Sequence, residues 1–208
     1  MPRNRFDRRD MLALLSASGF ATLAGCVGGD DDSEVENGSE GDDGSQISLL
    51  EEEHLPGQEW EPRDDTRGPT GLSAEISDVS NSTFEWAGDG AQEVSTYAHS
   101  ELASESALSE FEDIDSVEEL YGMYVEAFTV DAESTVASHA EREELDVADK
   151  AVVLYAEEVD GTDYNAHAVV TDRKDVAVVG IGTIGGPPEE LPFNINLSKA
   201  QELAEAIY

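Results

Sequence analysis

The sequence predicts an α+β domain: an antiparallel β-meander with helices packed on one face of the sheet and a closing C-terminal helix. Three observations predict it. Ala151–Glu157, Tyr164–Thr171 and Val176–Ile181 are apolar, Val-rich runs of strand length. Their connections, a turn around Asp160-Gly161 and Asp172-Arg173-Lys174-Asp175, are too short for a parallel crossover and force antiparallel pairing. Segments with helical spacing of apolar residues flank this block on both sides.

Residues 1–25 stand apart from that domain. Arg3, Arg5, Arg8 and Arg9 precede an apolar stretch, Met11–Ala24, diluted by Ser16, Ser18, Gly19 and Thr22. It falls short of the ~20 residues a helix needs to span a bilayer. A basic start, a short apolar run and a small-residue site make a signal peptide. Arg8-Arg9 followed by Met11-Leu12 resembles the twin-arginine export signal, with Asp7 where that pattern has Ser or Thr. Leu23-Ala24-Gly25-Cys26 resembles the lipobox of exported lipoproteins. The resemblance implies removal of residues 1–25, lipidation of Cys26 and tethering by two chains at the extracytoplasmic face of the cell membrane.

Composition sets the solvent. The chain has 48 acids against 11 Lys and Arg, a net charge of −37. Without residues 1–25, which hold four Arg and two Asp, 46 acids face 7 bases. Such a body repels itself unless counterions are dense. At molar salt the screening length is about 3 Å and the repulsion collapses. A halophilic, haloarchaeal-type surface protein is expected. Nucleic acid is excluded as a partner because no basic face exists to release counterions. An anionic membrane surface repels the body as well, leaving the lipid on Cys26 as the membrane contact. With its one Cys lipidated, the folded part has no disulfide, Cys₄ zinc site, iron–sulfur cluster or blue-copper thiolate.

Residues 26–46 carry Gly28-Gly29-Asp30-Asp31-Asp32-Ser33 and Gly41-Asp42-Asp43-Gly44-Ser45, a loose, self-repelling spacer. Residues 47–208 are then one domain. Trp60, after Leu55-Pro56-Gly57, is a core anchor, and Phe84/Trp86 and Val94–His99 are early strands. Leu102–Ile114 reads as helical or irregular. Ser116-Val117-Glu118-Glu119 is a capping box, and Val117, Leu120, Tyr121, Tyr124 and Phe128 share one helical face. Ser198-Lys199-Ala200-Gln201 repeats the pattern, with Ala200, Leu203, Ala204 and Ile207 lining the closing helix.

Leu145–Val152 entering a strand, then a hairpin, a Val-rich third strand and a helix at Leu197-Ser198 resemble the PsbP-like and sensor-type domains of small bacterial surface lipoproteins. The similarity covers residues 94–208 and rests on pattern. It implies a ligand- or protein-binding module without catalysis, and it carries over no site residue.

Gly180-Ile181-Gly182-Thr183-Ile184-Gly185 matches the dinucleotide fingerprint in letters only. Gly186-Pro187-Pro188 prevents the helix that fingerprint requires, so the glycines are read as bending a strand end into a loop. Asp160-Gly161-Thr162-Asp163 is turn chemistry rather than a cation loop. His54, His99, His139 and His167 are scattered; His139 and Glu143 sit four apart, as on a helix face, which is too few ligands for a metal. No nucleophile elbow is present, and any carboxylate pair chosen from 46 acids is arbitrary. No catalytic, cofactor-binding or metal-ligating residue is assigned. Asn37, Asn81 and Asn196 head N-x-S/T sequons and are candidate N-glycosylation sites on an exported chain. The reading is a lipid-anchored, non-catalytic binding module for an unidentified protein or small ligand at the cell surface. The alternative is an envelope hydrolase using carboxylates or a divalent ion.

Overall fold

A computed structural model describes residues 47–63, 72, 76–88, 95–111, 114–129, 141–157, 164–184 and 191–208. Its elements are β1 (Trp60–Pro62), β2 (Val79–Trp86), β3 (Ser95–Ser104), α1 (Val117–Thr129), β4 (Glu141–Leu145), β5 (Lys150–Glu157), β6 (Tyr164–Thr171), β7 (Asp175–Ile184) and α2 (Leu197–Ile207). Short 3₁₀ helices occupy Glu52–His54 and Glu105–Glu110. The strands form a single antiparallel sheet in the order β1-β2-β3-β7-β6-β5-β4. The expected meander is thus β5-β6-β7, extended at one edge by β4. A second meander, β1-β2-β3, joins it through β3 against β7, which pair over ten residues from Ser95↔Ile184 to Ser104↔Asp175.

The helices do not share a face, and this corrects the sequence expectation. Ala151, Val153, Ala168, Val170, Ala177 and Val179 pack with Ala200, Leu203, Ala204 and Ile207 of α2. The alternate positions Val152, Leu154, Val169, Val176 and Val178 pack with Leu120, Met123 and Tyr124 of α1. Successive strand residues point to opposite faces. Because β5, β6 and β7 are apolar at consecutive positions, both faces require cover, and one helix lies on each.

Local chemistry explains the boundaries. Ser116 Oγ accepts from Glu119 N at 3.2 Å, while the Glu119 carboxylate takes the N–H of Asp115 rather than that of Ser116. For α2 the cap is Asn196, not Ser198: Asn196 Oδ1 accepts from Lys199 N at 3.0 Å. β3 continues through Leu102 to Ser104, where the sequence suggested a helical or irregular segment. β4, reading Glu-Arg-Glu-Glu-Leu, is an edge strand and places Glu143 on a strand rather than a helix; His139 lies outside the described residues. A short edge strand ending in Pro62 and a charged one at β4 both discourage pairing with other chains.

Under the α2 face, Trp60 is the anchor expected. It is 4% exposed, stacks on Phe193 with ring centroids 5.6 Å apart, and donates from Nε1 to Pro56 O at 2.9 Å. Ile47 is buried in the same layer, and Ser48 N donates to Ile207 O at 2.7 Å, pinning the first described residues to the last turn of α2. Among the described residues no helix is long and apolar enough to cross a membrane.

Candidate functional site

The α1 face of the sheet is apolar under the helix and polar beyond Tyr124. The polar part is built over two glycines. β7 lies between β3 and β6, and strands spaced about 4.8 Å apart place those two neighbours roughly twice that distance from each other. Side chains from β3 and β6 meet only where the β7 residue between them has no side chain. Gly180 is paired with His99 on one side and His167 on the other. Two residues on, Gly182 is paired with Tyr97 and Asn165.

Across both gaps the neighbours touch. His99 Nε2 and His167 Nε2 are 3.1 Å apart, one ring donating and the other accepting according to tautomer. Tyr97 Oη donates to Asn165 Oδ1 at 2.6 Å. A Cβ on Gly180 would stand 2.2 Å from His167 Cδ2, and one on Gly182 would stand 2.3 Å from Tyr97 Oη. The glycines are therefore required by close approach, in a strand that runs straight through them to Ile184. They do not bend a strand end, as the sequence suggested.

Tyr97 lies against His99 with ring centroids 5.4 Å and planes 28° apart, while His99 and His167 meet end to end across Gly180, with centroids 5.2 Å and planes 22° apart. Glu101, the next β3 residue on this face, is buried and accepts from Tyr124 Oη of α1 at 3.3 Å. On β2, Thr83 is paired with His99, and its buried Oγ1 has no hydrogen-bond partner among the described residues.

Burial sets the charge state. His99 is held well below the usual histidine range, by desolvation first and by the neighbouring His167 second. Desolvation lowers His167 to about 4. Both rings are neutral at pH 7, and each has a lone pair on one ring nitrogen. Such a pair can share a proton. Among the described residues no group of three or more His, Cys, Asp and Glu side chains converges on a metal position.

Of the residues singled out from sequence, Arg8, Arg9, Cys26 and Asn37 lie outside the described residues. Asn81 is half-buried on β2, paired with Glu101. Asn196 is exposed and caps α2. Sequence reasoning treated His99 and His167 as scattered and missed the ladder. The signal was a glycine period of two inside a strand, matched by Tyr97/His99 and Asn165/His167 at the same period. Comparison with protein-family profiles, with curated proteins and with solved structures found no match.

Proposed function

We propose that the chain is a lipid-anchored cell-surface protein of a halophile, exported by the twin-arginine route, whose body is a non-catalytic binding module at the envelope. The observation that carries the reading is the placement of the chain's one Cys. Cys26 closes Leu-Ala-Gly-Cys behind Arg8-Arg9 and ahead of an acidic spacer. The likeness to PsbP-like and sensor-type lipoprotein domains belongs to the same proposal. Two structural features support it. The body takes up at Ile47, in the α2 layer, so the spacer would join the face opposite the polar ladder. Ion pairs such as Arg63–Glu85 and Lys150–Glu118 use only a small part of the acidic charge, leaving a surface suited to brine.

The test is fractionation of cells expressing the full chain. Cys26→Ser should move the protein from the membrane to the soluble extracytoplasmic fraction. Replacing Arg8 and Arg9 by Lys should hold precursor in the cytoplasm. Continued membrane association of the Cys26 variant would end the anchor reading, and unaffected export of the Lys variant would end the twin-arginine reading.

A further inference from the structure

We propose that the His99–His167 rung is an acid-operated switch: protonation breaks it above Gly180, turns the His99 ring to Thr83 on β2 and frees α1 from the polar half of its face, while the α2 face stays closed. The inference does not depend on the lipid anchor.

The rung has a chemical condition. His99 Nε2 and His167 Nε2 stand 3.1 Å apart, so one nitrogen must carry a hydrogen and the other a lone pair. One proton taken from solvent puts a full charge beside the second ring, in a site that excludes water. A second proton gives both Nε2 atoms a hydrogen, and N–H then meets N–H. Neither ring can sink toward the sheet to ease that contact. Both already lie against Gly180, whose Cβ position is 2.2 Å from His167 Cδ2 and 2.9 Å from His99 Nε2.

The neighbours decide where the rung goes. β2 presents Thr83 opposite His99 and, beyond it, Glu85, which is half-exposed and ion-paired to Arg63. β3 adds Tyr97 and Glu101, β5 presents Leu154 opposite His167, β6 adds Asn165, and α1 presents Tyr124. Glu101 lies two residues from His99 on the same face and is the buried carboxylate there among the described residues. It accepts from Tyr124 Oη at 3.3 Å, a bond between α1 and the ladder. An imidazolium at His99 draws that carboxylate toward itself, and the bond to the helix is given up. Thr83 supplies the second position for the ring. Side chains opposed in register stand about 5 Å apart at Cβ. The buried Thr83 hydroxyl, which has no hydrogen-bond partner among the described residues, accepts from a protonated ring that has left His167. A switch needs two arrangements of one element, biased by a local charge, and His99 has both.

The sign follows from burial. Desolvation, with His167 adding to it at His99, holds both rings below the usual histidine range, His167 at about 4. The closed form therefore takes up protons less readily than an opened one, and it loses ground as the pH falls from about 6.5 toward about 4. From His167 alone, acidification from about pH 7.5 to about pH 5 should raise the open fraction roughly 30-fold.

The experiment is hydrogen exchange of the full chain in multimolar KCl at those two pH values, read by mass spectrometry and corrected for the intrinsic pH dependence of exchange. Peptides from α1 should lose protection on acidification roughly 30-fold more than peptides from α2. Equal change in the two helices, or none in α1, would overturn the proposal with no variant needed. Thr83→Val keeps the shape and removes the hydroxyl. It should cut the α1 response by roughly threefold or more while leaving protection at the higher pH unchanged. His99→Gln together with His167→Gln should leave α1 protection flat between the two pH values. An acid response of parental size in either folded variant would also overturn the proposal, assigning the response to carboxylates.

Discussion

The two faces of one sheet, formed by the same strands at alternate positions, do different work. The α2 face is apolar under the helix, and the polar side chains buried on it at β3 and β7, Thr96, Ser100 and Thr183, are small and carry no charge. Ala166, Ala168 and Ala177 let Ala200 and Ala204 approach closely, and Leu203, Ile207, Trp60, Trp86 and Ile195 fill the remainder. The α1 face is divided. Val152, Val169, Val176 and Val178 pack under the helix, while Tyr97, His99, Glu101, Asn165 and His167 lie buried on the same side. Burying polar groups is costly unless each is hydrogen-bonded. The second face is the one that buries imidazoles and a carboxylate, and there the fold tolerates a cost for a specific arrangement.

The comparison can be broken hardest at Gly180. Gly180→Ala puts a methyl 2.2 Å from His167 and must displace a buried ring from its partner. Overpacking together with a broken buried hydrogen bond should destabilise by roughly 4 kcal/mol, read by denaturant unfolding at high salt. A loss under about 1 kcal/mol would show that the ladder yields freely. On the opposite face Leu203→Ala, at a site 1% exposed, should cost about 3 kcal/mol by cavity formation, with no change in the acid branch of the stability–pH curve.

That acid branch is the third test. Both histidines bind protons more weakly in the folded chain than in the unfolded one. Stability from this source is therefore full above the unfolded value of about 6.5 and declines as the pH falls toward about 4. The His167 shift alone corresponds to on the order of 3 kcal/mol. Replacing both rings by Gln should flatten stability between those pH values at constant salt, and an unchanged slope would assign the acid sensitivity to carboxylates. The smallest effect is expected from Tyr97→Phe. It removes the 2.6 Å hydrogen bond to Asn165 and should cost about 1–2 kcal/mol without altering the pH slope.

Much of the fold was legible because it is local. Tyr164–Thr171 is a strand with the bounds its pattern indicates, Ser116 caps α1, and Ala200, Leu203, Ala204 and Ile207 face the core from α2. β4 was illegible because an edge strand of charged residues has no apolar alternation to read. The placement of the helices was misjudged although a signal existed. Ala151–Leu154 is apolar at four consecutive positions, a run that calls for cover on both faces.

What the sequence determined alone is whatever depends on residues near one another in the chain: the antiparallel strand block with its closing helix, and, as expectations, the export and lipidation signals and the acidic solvent strategy. Only the tertiary structure decided which strand lies between which others. His99 and His167 are far apart in sequence and meet because β7 inserts between β3 and β6 with Gly180 in register. No local pattern encodes that, since strand order is set by how the whole chain buries its apolar surface.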